Sequence, residues 1–556
     1  MVVRRLIAIA VFLTLTLVVA SASLNASRPV ALTEPPASRI GCASYAPYRL
    51  AGESPFDPDH VVSPARISQD LGLLAGLTRC VRTYSTQQGL GAVPKVAQQL
   101  GMTVLLGIWI GRDPQANEIE IAAGIELARQ FPDTVKAVIV GNEVLLRREQ
   151  TASTMAEYLA RVGAAVATPV TYADVWEFWL QNRSLAGQVD YVTAHILPFW
   201  EDHPVAIEQA VQHVTTVFRE VQAVFPDKRV MIGETGWPSE GRMRGPALPG
   251  PLEQARFMRE WVAAAIDQGI DYNVIEAFDQ PWKRRLEGAM GGHWGLLDSA
   301  GEQKFPWQGP MVERPGRFRA ALIGMLVMSL AAVLLSTLMQ RLSNPAGPAA
   351  RRHPTSIVLK VCVGACVGAL LPEQLHYLTT WNRFAVEWLG SASFWACGIA
   401  AALSFGLVVD APDRIPHWRL AWAMLTGAAP HDGPPDPAAS NPAGQRRLLA
   451  VVGLLRTGLL FGTALFLLLH AFDARYRGFA LALYGLPMAT MLSCWLTRQR
   501  LPADAVEERW LGLVIVAATP FMLMPEWPDN HQALLLAAMV LPIGLYPLIA
   551  RRPDDA

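Results

Sequence analysis

Two glutamates close apolar, β-rich runs. Glu143 ends Val-Ile-Val-Gly-Asn-Glu, directly after Asn142, and Glu234 stands in Val-Met-Ile-Gly-Glu-Thr-Gly-Trp-Pro-Ser. Two carboxyl groups converging on one bond can divide a substitution between them: one protonates the leaving oxygen while the other attacks carbon from the opposite face. At a glycosidic bond this is the retaining pair, which requires a separation of about 5 Å. It also requires a raised pKa on the acid and a lowered one on the nucleophile. An amide beside the acid, as Asn142 provides, can hold the sugar 2-hydroxyl. A lone Asn-Glu is more simply a loop salt-bridge partner. Two such glutamates at matched positions in a repeating pattern point to chemistry.

That pattern is an alternation of short apolar runs with helical stretches. The runs are 40–45, 78–84, 103–110, 135–143, 169–174, 189–195, 229–236 and 272–279, with helical periodicity over 118–129, 154–166, 205–224 and 252–267. Eight such units predict an α/β fold, a (β/α)8 TIM barrel, over residues 40–312. Runs such as Ala137-Val138-Ile139-Val140 suit parallel strands covered on both faces. The fourth and seventh strands face each other across the barrel mouth, so Glu143 and Glu234 approach from opposite sides. Other polar residues gather at the same strand ends: Arg82, Tyr84, Tyr172, Asp174, His195, Glu276 and Asp279. Strand C-termini open onto the active-site face of this fold. Arg82, Asp174, His195, Glu276 and Asp279 are candidates for holding hydroxyls or tuning the glutamates, although His195 reads equally well as a packing histidine. Aromatic planes bury the CH faces of sugars. Tyr45, Tyr84 and Tyr172 therefore belong with the candidate substrate-binding residues, and Trp176, Trp200, Trp282 and Trp294, just past strand ends, are read as sugar subsites. Trp109 and Trp237 read as core.

The segment 228–241, with Gly233-Glu234-Thr235-Gly236-Trp237-Pro238-Ser239, resembles the nucleophile signature of glycoside hydrolase family 17, the β-1,3-glucanase family. Gly141-Asn142-Glu143 resembles that family's acid/base strand. The likeness extends through Ser44-Tyr45-Ala46-Pro47-Tyr48, Val81-Arg82-Thr83-Tyr84-Ser85, Thr171-Tyr172-Ala173-Asp174-Val175-Trp176 and Phe278-Asp279-Gln280-Pro281-Trp282-Lys283. These look like the bacterial, membrane-linked branch with laminarinase or β-1,3-glucosyltransferase activity. The resemblance implies a retaining glycosidase or transglycosylase acting on β-1,3-glucan, with no cofactor and no metal.

The rest of the chain is of another kind. Apolar residues make up 52% of the 556 and charged residues 17%, a balance that averages an ordinary globular part with a very apolar one. Residues 1–22 read as a signal peptide or signal anchor and 23–39 as a proline-containing spacer. Seven apolar runs follow the barrel, at 320–339, 355–371, 388–409, 448–470, 478–496, 510–524 and 532–550. They predict an all-α membrane domain over 320–550 with about seven transmembrane helices and the lipid bilayer as partner. With the barrel outside, the inner loops carry twelve arginines and the outer loops three, which places the C-terminus in the cytoplasm. Arg314, Arg317 and Arg319 count the other way. Lys360 and Arg456, inside apolar runs, read as snorkelling side chains. The linker 430–445 is proline-rich and carries no motif.

Net charge is formally zero and no basic stripe exists, which excludes nucleic acid as a partner. Six cysteines show no CxxC spacing, so a zinc or redox site is not expected. Cys42 and Cys80 fall on adjacent predicted strands, where a disulfide and two unpaired buried thiols both remain open. The alternative function is an accessory subunit of a glucan synthesis or export system, with a glucan-binding barrel and a glucan synthase as partner. The chain lacks the nucleotide-sugar domain that a synthase itself needs.

Overall fold

A computed structural model of the chain describes residues 1–343, 353–409, 415–427, 443–472, 475–498, 501 and 505–550. Most of the proline-rich linker (430–442) and several of the arginine-bearing loops lie outside these residues. The chain divides into two compact units, Pro29–Met311 and a second composed of Met1–Arg28 with Val312–Ala556.

Eight parallel strands close into a barrel in the first unit. They are β1 (Ala43–Ser44), β2 (Cys80–Arg82), β3 (Thr103–Ile108), β4 (Val135–Asn142), β5 (Val170–Val175), β6 (Tyr191–His195), β7 (Arg229–Thr235) and β8 (Tyr272–Val274). Each pairs with its sequence neighbours, and Ala43 opposite Val274 completes the ring. The eight runs read from the sequence are these strands in this order. In β4 all but Lys136 and half-buried Asn142 are buried, as a strand covered on both faces requires. One face fills the barrel interior, where Leu105, Ala137, Ile139, Ala173 and Met231 pack together. The other face packs on the surrounding helices. Ile207–Val224, for example, turns Ala210, Val214, Val217 and Val221 inward at helical spacing.

Local signals set the helix starts. Asp113 accepts from the amides of Gln115 and Ala116 ahead of Pro114–Gln130, and Thr151 accepts from Thr154 ahead of Ala152–Ala165. Gly269, at φ +63°, ends Pro251–Gln268. Cys42 and Cys80 form a disulfide between the start of β2 and the residue before β1.

The second unit is helical: Val2–Ala26, Arg317–Ser343, Pro354–Thr380, Ala385–Val408, Trp418–Thr426, Ala443–Phe472, Leu481–Leu496, Val506–Leu523 and His531–Ile549. Each of the seven apolar runs is a helix here. Among the described residues, six helices are long and apolar enough to cross a membrane: the N-terminal one and five of those seven. Leu481–Leu496 is shorter, and Val506–Leu523 begins with Glu507, Glu508 and Arg509. Val2–Ala26 belongs to this unit by packing: Ala8 and Phe12 are fully buried, and the Phe12 ring lies 6.2 Å from that of Phe405. Arg456 does not snorkel. It is buried with Glu508, Nε to Oε2 2.9 Å, because a carboxylate on the neighbouring helix offers it a partner at depth.

Candidate active site

The C-terminal ends of β4 and β7 hold the two glutamates. Glu143 follows β4 with φ +52°, after Gly141 at φ +84°. A left-handed glutamate costs about 1–3 kcal/mol and persists only where its surroundings fix it. Here its amide donates to the carbonyl of Ala173 on β5 at 2.8 Å, so the turn out of the barrel is pinned to the neighbouring strand. Glu234 lies within β7 and is nearly buried. Gly233 gives it room: a Cβ there would sit 2.5 Å from Thr193 and 2.8 Å from Nδ1 of His195. One carboxylate oxygen each from Glu143 and Glu234 and a ring nitrogen of His195 all lie within 4.8 Å of one another.

The surroundings of the two carboxyls differ. Arg82 Nη1 lies 3.0 Å from Oε1 of Glu234, and the Tyr84 hydroxyl donates to the same oxygen at 2.8 Å. His195 Nε2 is 3.6 Å from it. All these contacts fall on Oε1, which leaves Oε2 without a donor among the described residues. Burial alone pushes the Glu234 carboxyl up. Protonated His195, the Arg82 guanidinium, the Tyr84 hydroxyl and Lys283 outweigh it, and the net shift is down. Burial also holds His195 at about 4, so its ring is neutral at pH 7. Glu143 moves the other way. Burial and the charges of Glu234 and Asp174 raise it to about 8 against the pull of Arg147.

Asn142 is oriented by two donors. Arg82 Nη2 and His195 Nε2, the latter at 3.0 Å, both address its Oδ1, so its Nδ2 is left as the free donor edge. His195 is therefore part of the site rather than of the packing alone. Arg82, buried and also donating to the Gly233 carbonyl at 2.8 Å, ties β2, β4 and β7 together.

The other predicted residues divide. Tyr172 donates to Asp174, and the amide of Leu145, in the loop after Glu143, donates to the Tyr172 hydroxyl at 3.0 Å. This pair supports the Glu143 loop. Burial raises Asp174 to about 6. Glu276 accepts Lys283 Nζ at 2.8 Å on both oxygens, and burial holds it near 7 despite that lysine. Asp279 accepts Lys304 at 2.7 Å and the Gly295 amide at 2.9 Å, which makes it a loop clamp. Trp176, Trp200 and Trp282 are half-buried, with Arg244 over Trp200 at 4.8 Å and Phe56 edge-on to Trp282 at 5.5 Å. Trp294 is 4% exposed and packs on Phe199, so it offers little face to a sugar. Tyr45 is buried and donates to Asp70, which is ion-paired with Arg49, a support for the β1 loop rather than a surface. Trp237 is core, stacked on Phe257, whereas Trp109 is 36% exposed beneath Arg147.

Sequence reasoning passed over Lys283, Ser44 and Asn273. Asn273 donates to Ser44 Oγ and the Gly233 carbonyl, both at 2.8 Å, and Ser44 Oγ lies 2.8 Å from the Tyr84 hydroxyl. Lys283 was visible as a cation in a strand-end motif. Ser44 likewise opened a strand-end motif, whereas Asn273 gave no signal, because it acts through the barrel closure. Glu143, His195 and Glu234 carry ligand atoms, yet the Arg82 guanidinium already occupies the charge environment of Glu234, which disfavours a metal cation there.

A closed (β/α)8 barrel presenting one raised and one lowered carboxyl at opposing strand ends is the architecture of a two-carboxylate glycoside hydrolase. Residues 42–295 match the BtgE/BtgC glycoside hydrolase domain model. A glucan 1,3-beta-glucosidase of Arthroderma benhamiae is 30% identical over 267 residues, covering 43% of this chain and 83% of that protein. The chain belongs to this glycoside hydrolase family, of the family 17 type. A probable glucan endo-1,3-beta-glucosidase (btgC) of Aspergillus clavatus is 29% identical over 279 residues; the match takes in 44% of this chain and only 39% of that relative's length. A family 17 beta-1,3-glucanosyltransferase structure from Rhizomucor miehei superposes with TM-score 0.43 at 24% identity, over 49% of this chain and 97% of that one.

Proposed function

We propose that the barrel is a retaining β-1,3-glucan hydrolase or transglycosylase. The observation that carries it is the approach of Glu143 and Glu234 oxygens to within 4.8 Å. That spacing suits a direct nucleophile, for which the two carboxyls stand about 5–5.5 Å apart. Glu143, held protonated, gives its proton to the glycosidic oxygen as the bond to the anomeric carbon breaks. Glu234, ionised, attacks that carbon through Oε2, forming a covalent glycosyl-enzyme. Glu143, now ionised, takes a proton from water or from a sugar hydroxyl, which displaces Glu234. Asn142 Nδ2 holds the 2-hydroxyl, and Trp176, Trp200 and Trp282 bind sugar faces. The β-1,3-glucan substrate is supported by the activities for which the relatives are named. Incubation with a β-1,3-gluco-oligosaccharide tests this: β-configured products by NMR are expected, longer chains marking transfer and only shorter ones hydrolysis. α-Configured first products would overturn it.

We further read the barrel as extracytoplasmic, on a multi-pass membrane part with a cytoplasmic C-terminus. The Cys42–Cys80 disulfide and the arginine asymmetry support this. The burial of Phe12 against Phe405 favours Val2–Ala26 as a retained anchor over a cleaved leader. A reporter fused at the C-terminus and active only outside the cytoplasm would refute the topology.

A further inference from the structure

A cavity of about 510 Å³ opens past the C-terminal end of β3, on the active-site face of the barrel but beyond the residues used above. Its walls are the loop after β3, the first turns of Pro114–Gln130, Gln87 from the loop after β2 and Glu149 from the loop after β4. Trp109 lines it and is exposed. A single exposed tryptophan carries no meaning by itself. This one is held rigidly and stands next to the chemistry.

Buried Asn117 exchanges two hydrogen bonds with Gly111: its Nδ2 donates to the Gly111 carbonyl at 2.9 Å, and the Gly111 amide donates to its Oδ1 at 2.8 Å. The Trp109 amide donates to Glu120, which also accepts the Thr86 amide at 2.9 Å and so ties the loops after β2 and β3 together. A platform fixed in advance loses little freedom when a ligand arrives. Arg147 supplies the link to the catalytic pair. Its guanidinium donates to the Asn142 carbonyl and lies 4.2 Å from the centre of the Trp109 ring. The indole is therefore one guanidinium away from the residue that precedes Glu143. Arg147 takes one face of the ring and does not line the cavity, which leaves the other side to it. Arg112 and Gln87 bring donors to the lining, and Glu149, whose Oε2 is paired with Arg147 at 2.7 Å, brings an acceptor. A flat apolar ring flanked by donors and acceptors suits a pyranose, with its CH face on the indole and its hydroxyls on the polar groups. We infer that this cavity is a distal subsite, in which further glucosyl units of a β-1,3-glucan bind on Trp109 once the chain reaches past the catalytic pair. The inference rests on the glucan reading above and makes Trp109 a determinant of chain length. The volume falls in the range of small-molecule pockets, about 300–1,000 Å³.

The test uses the full chain in mild detergent, carrying Glu234→Gln to prevent turnover, and titrates it calorimetrically with β-1,3-gluco-oligosaccharides of three and of six units. The longer is expected to bind at least tenfold more tightly. Trp109→Ala should reduce that advantage below threefold, and Trp109→Phe should keep most of it. Ala116→Arg, at an exposed position on the cavity wall, should also reduce it below threefold by filling the space. That variant reports even if loss of the indole disturbs the fold. With Glu234 intact, the same substitutions should lower the ratio of kcat/KM between the two lengths by a like factor. Equal affinity of the parent protein for both lengths would overturn the subsite. So would an advantage unmoved by Trp109→Ala and Ala116→Arg, or an equal loss on both lengths. Absence of binding at either length would overturn the glucan reading, and the subsite with it.

Discussion

Arg82 and Glu234 form a buried pair across the barrel, Nη1 to Oε1 3.0 Å, in which the arginine's other nitrogen also orients Asn142. One guanidinium therefore sets the charge of one glutamate and the amide next to the other. Arg82→Lys keeps the charge but cannot reach Glu234, Gly233 and Asn142 together, because an ammonium lacks the planar fork. Turnover should fall by about two orders of magnitude, the scale of a lost positioned contact. Arg82→Met also removes the charge, so its acidic limb of activity should move to higher pH while that of Arg82→Lys stays near wild type. A Met variant with an unmoved acidic limb would show that Arg82 does not tune Glu234.

The two glutamates should separate by product stereochemistry. Glu143→Ala should lose about 10²- to 10⁴-fold on natural glucan, whose leaving alcohol needs a proton. With an activated leaving group and azide, it should yield a β-glycosyl azide, since the glycosyl-enzyme still forms. Glu234→Ala should make no glycosyl-enzyme, and azide entering the vacated space should yield an α-glycosyl azide. NMR of the anomeric proton distinguishes them, and the reverse pattern would exchange the two roles.

The pH profile should be bell-shaped. Activity requires Glu143 protonated and Glu234 ionised. Glu143 is raised to about 8 by burial and neighbouring carboxylates, so kcat/KM should fall as pH rises through that region. Glu234 is held below its ordinary range, so the acidic limb should lie below the usual glutamate value. In Glu143→Gln, assayed with an activated leaving group, the alkaline limb should vanish. A limb near 8 that survived this substitution would belong to another group.

The disulfide should matter to stability and not to chemistry. Cys42 and Cys80 are 38 residues apart. Closing a loop of that length is worth about 4 kcal/mol by the chain-entropy argument. A fragment of residues 38–312 is expected to fold and to act on β-1,3-glucan, since all eight strands and both glutamates lie within it. Cys42→Ala/Cys80→Ala in that fragment should unfold at clearly lower urea, with turnover per folded molecule unchanged. An unchanged midpoint would mean that the barrel closure does not depend on the bridge.

The sequence alone determined the order of the eight strands, the two glutamates, Asn142, Arg82 and the apolar helices. These are local properties. Periodicity of apolar residues reports burial, and a polar residue at the end of a β-rich run stays at the end of a strand whatever the neighbours do. Only the tertiary structure decided where side chains past those ends turn. Tyr45 went to Asp70 and Trp294 to Phe199, although Tyr45 stood in a motif and Trp294 just past a strand end, and both were read as substrate-binding. Ser44 and Asn273 reach Tyr84 and the Gly233 carbonyl because β1 and β8 close the ring, a pairing between residues 229 positions apart. The Cys42–Cys80 bridge and the Arg456–Glu508 pair were likewise settled by register and helix packing. Opposite shifts of two carboxyls depend on which charges arrive from β2, β5 and β6, and such convergence has no signature within any single strand.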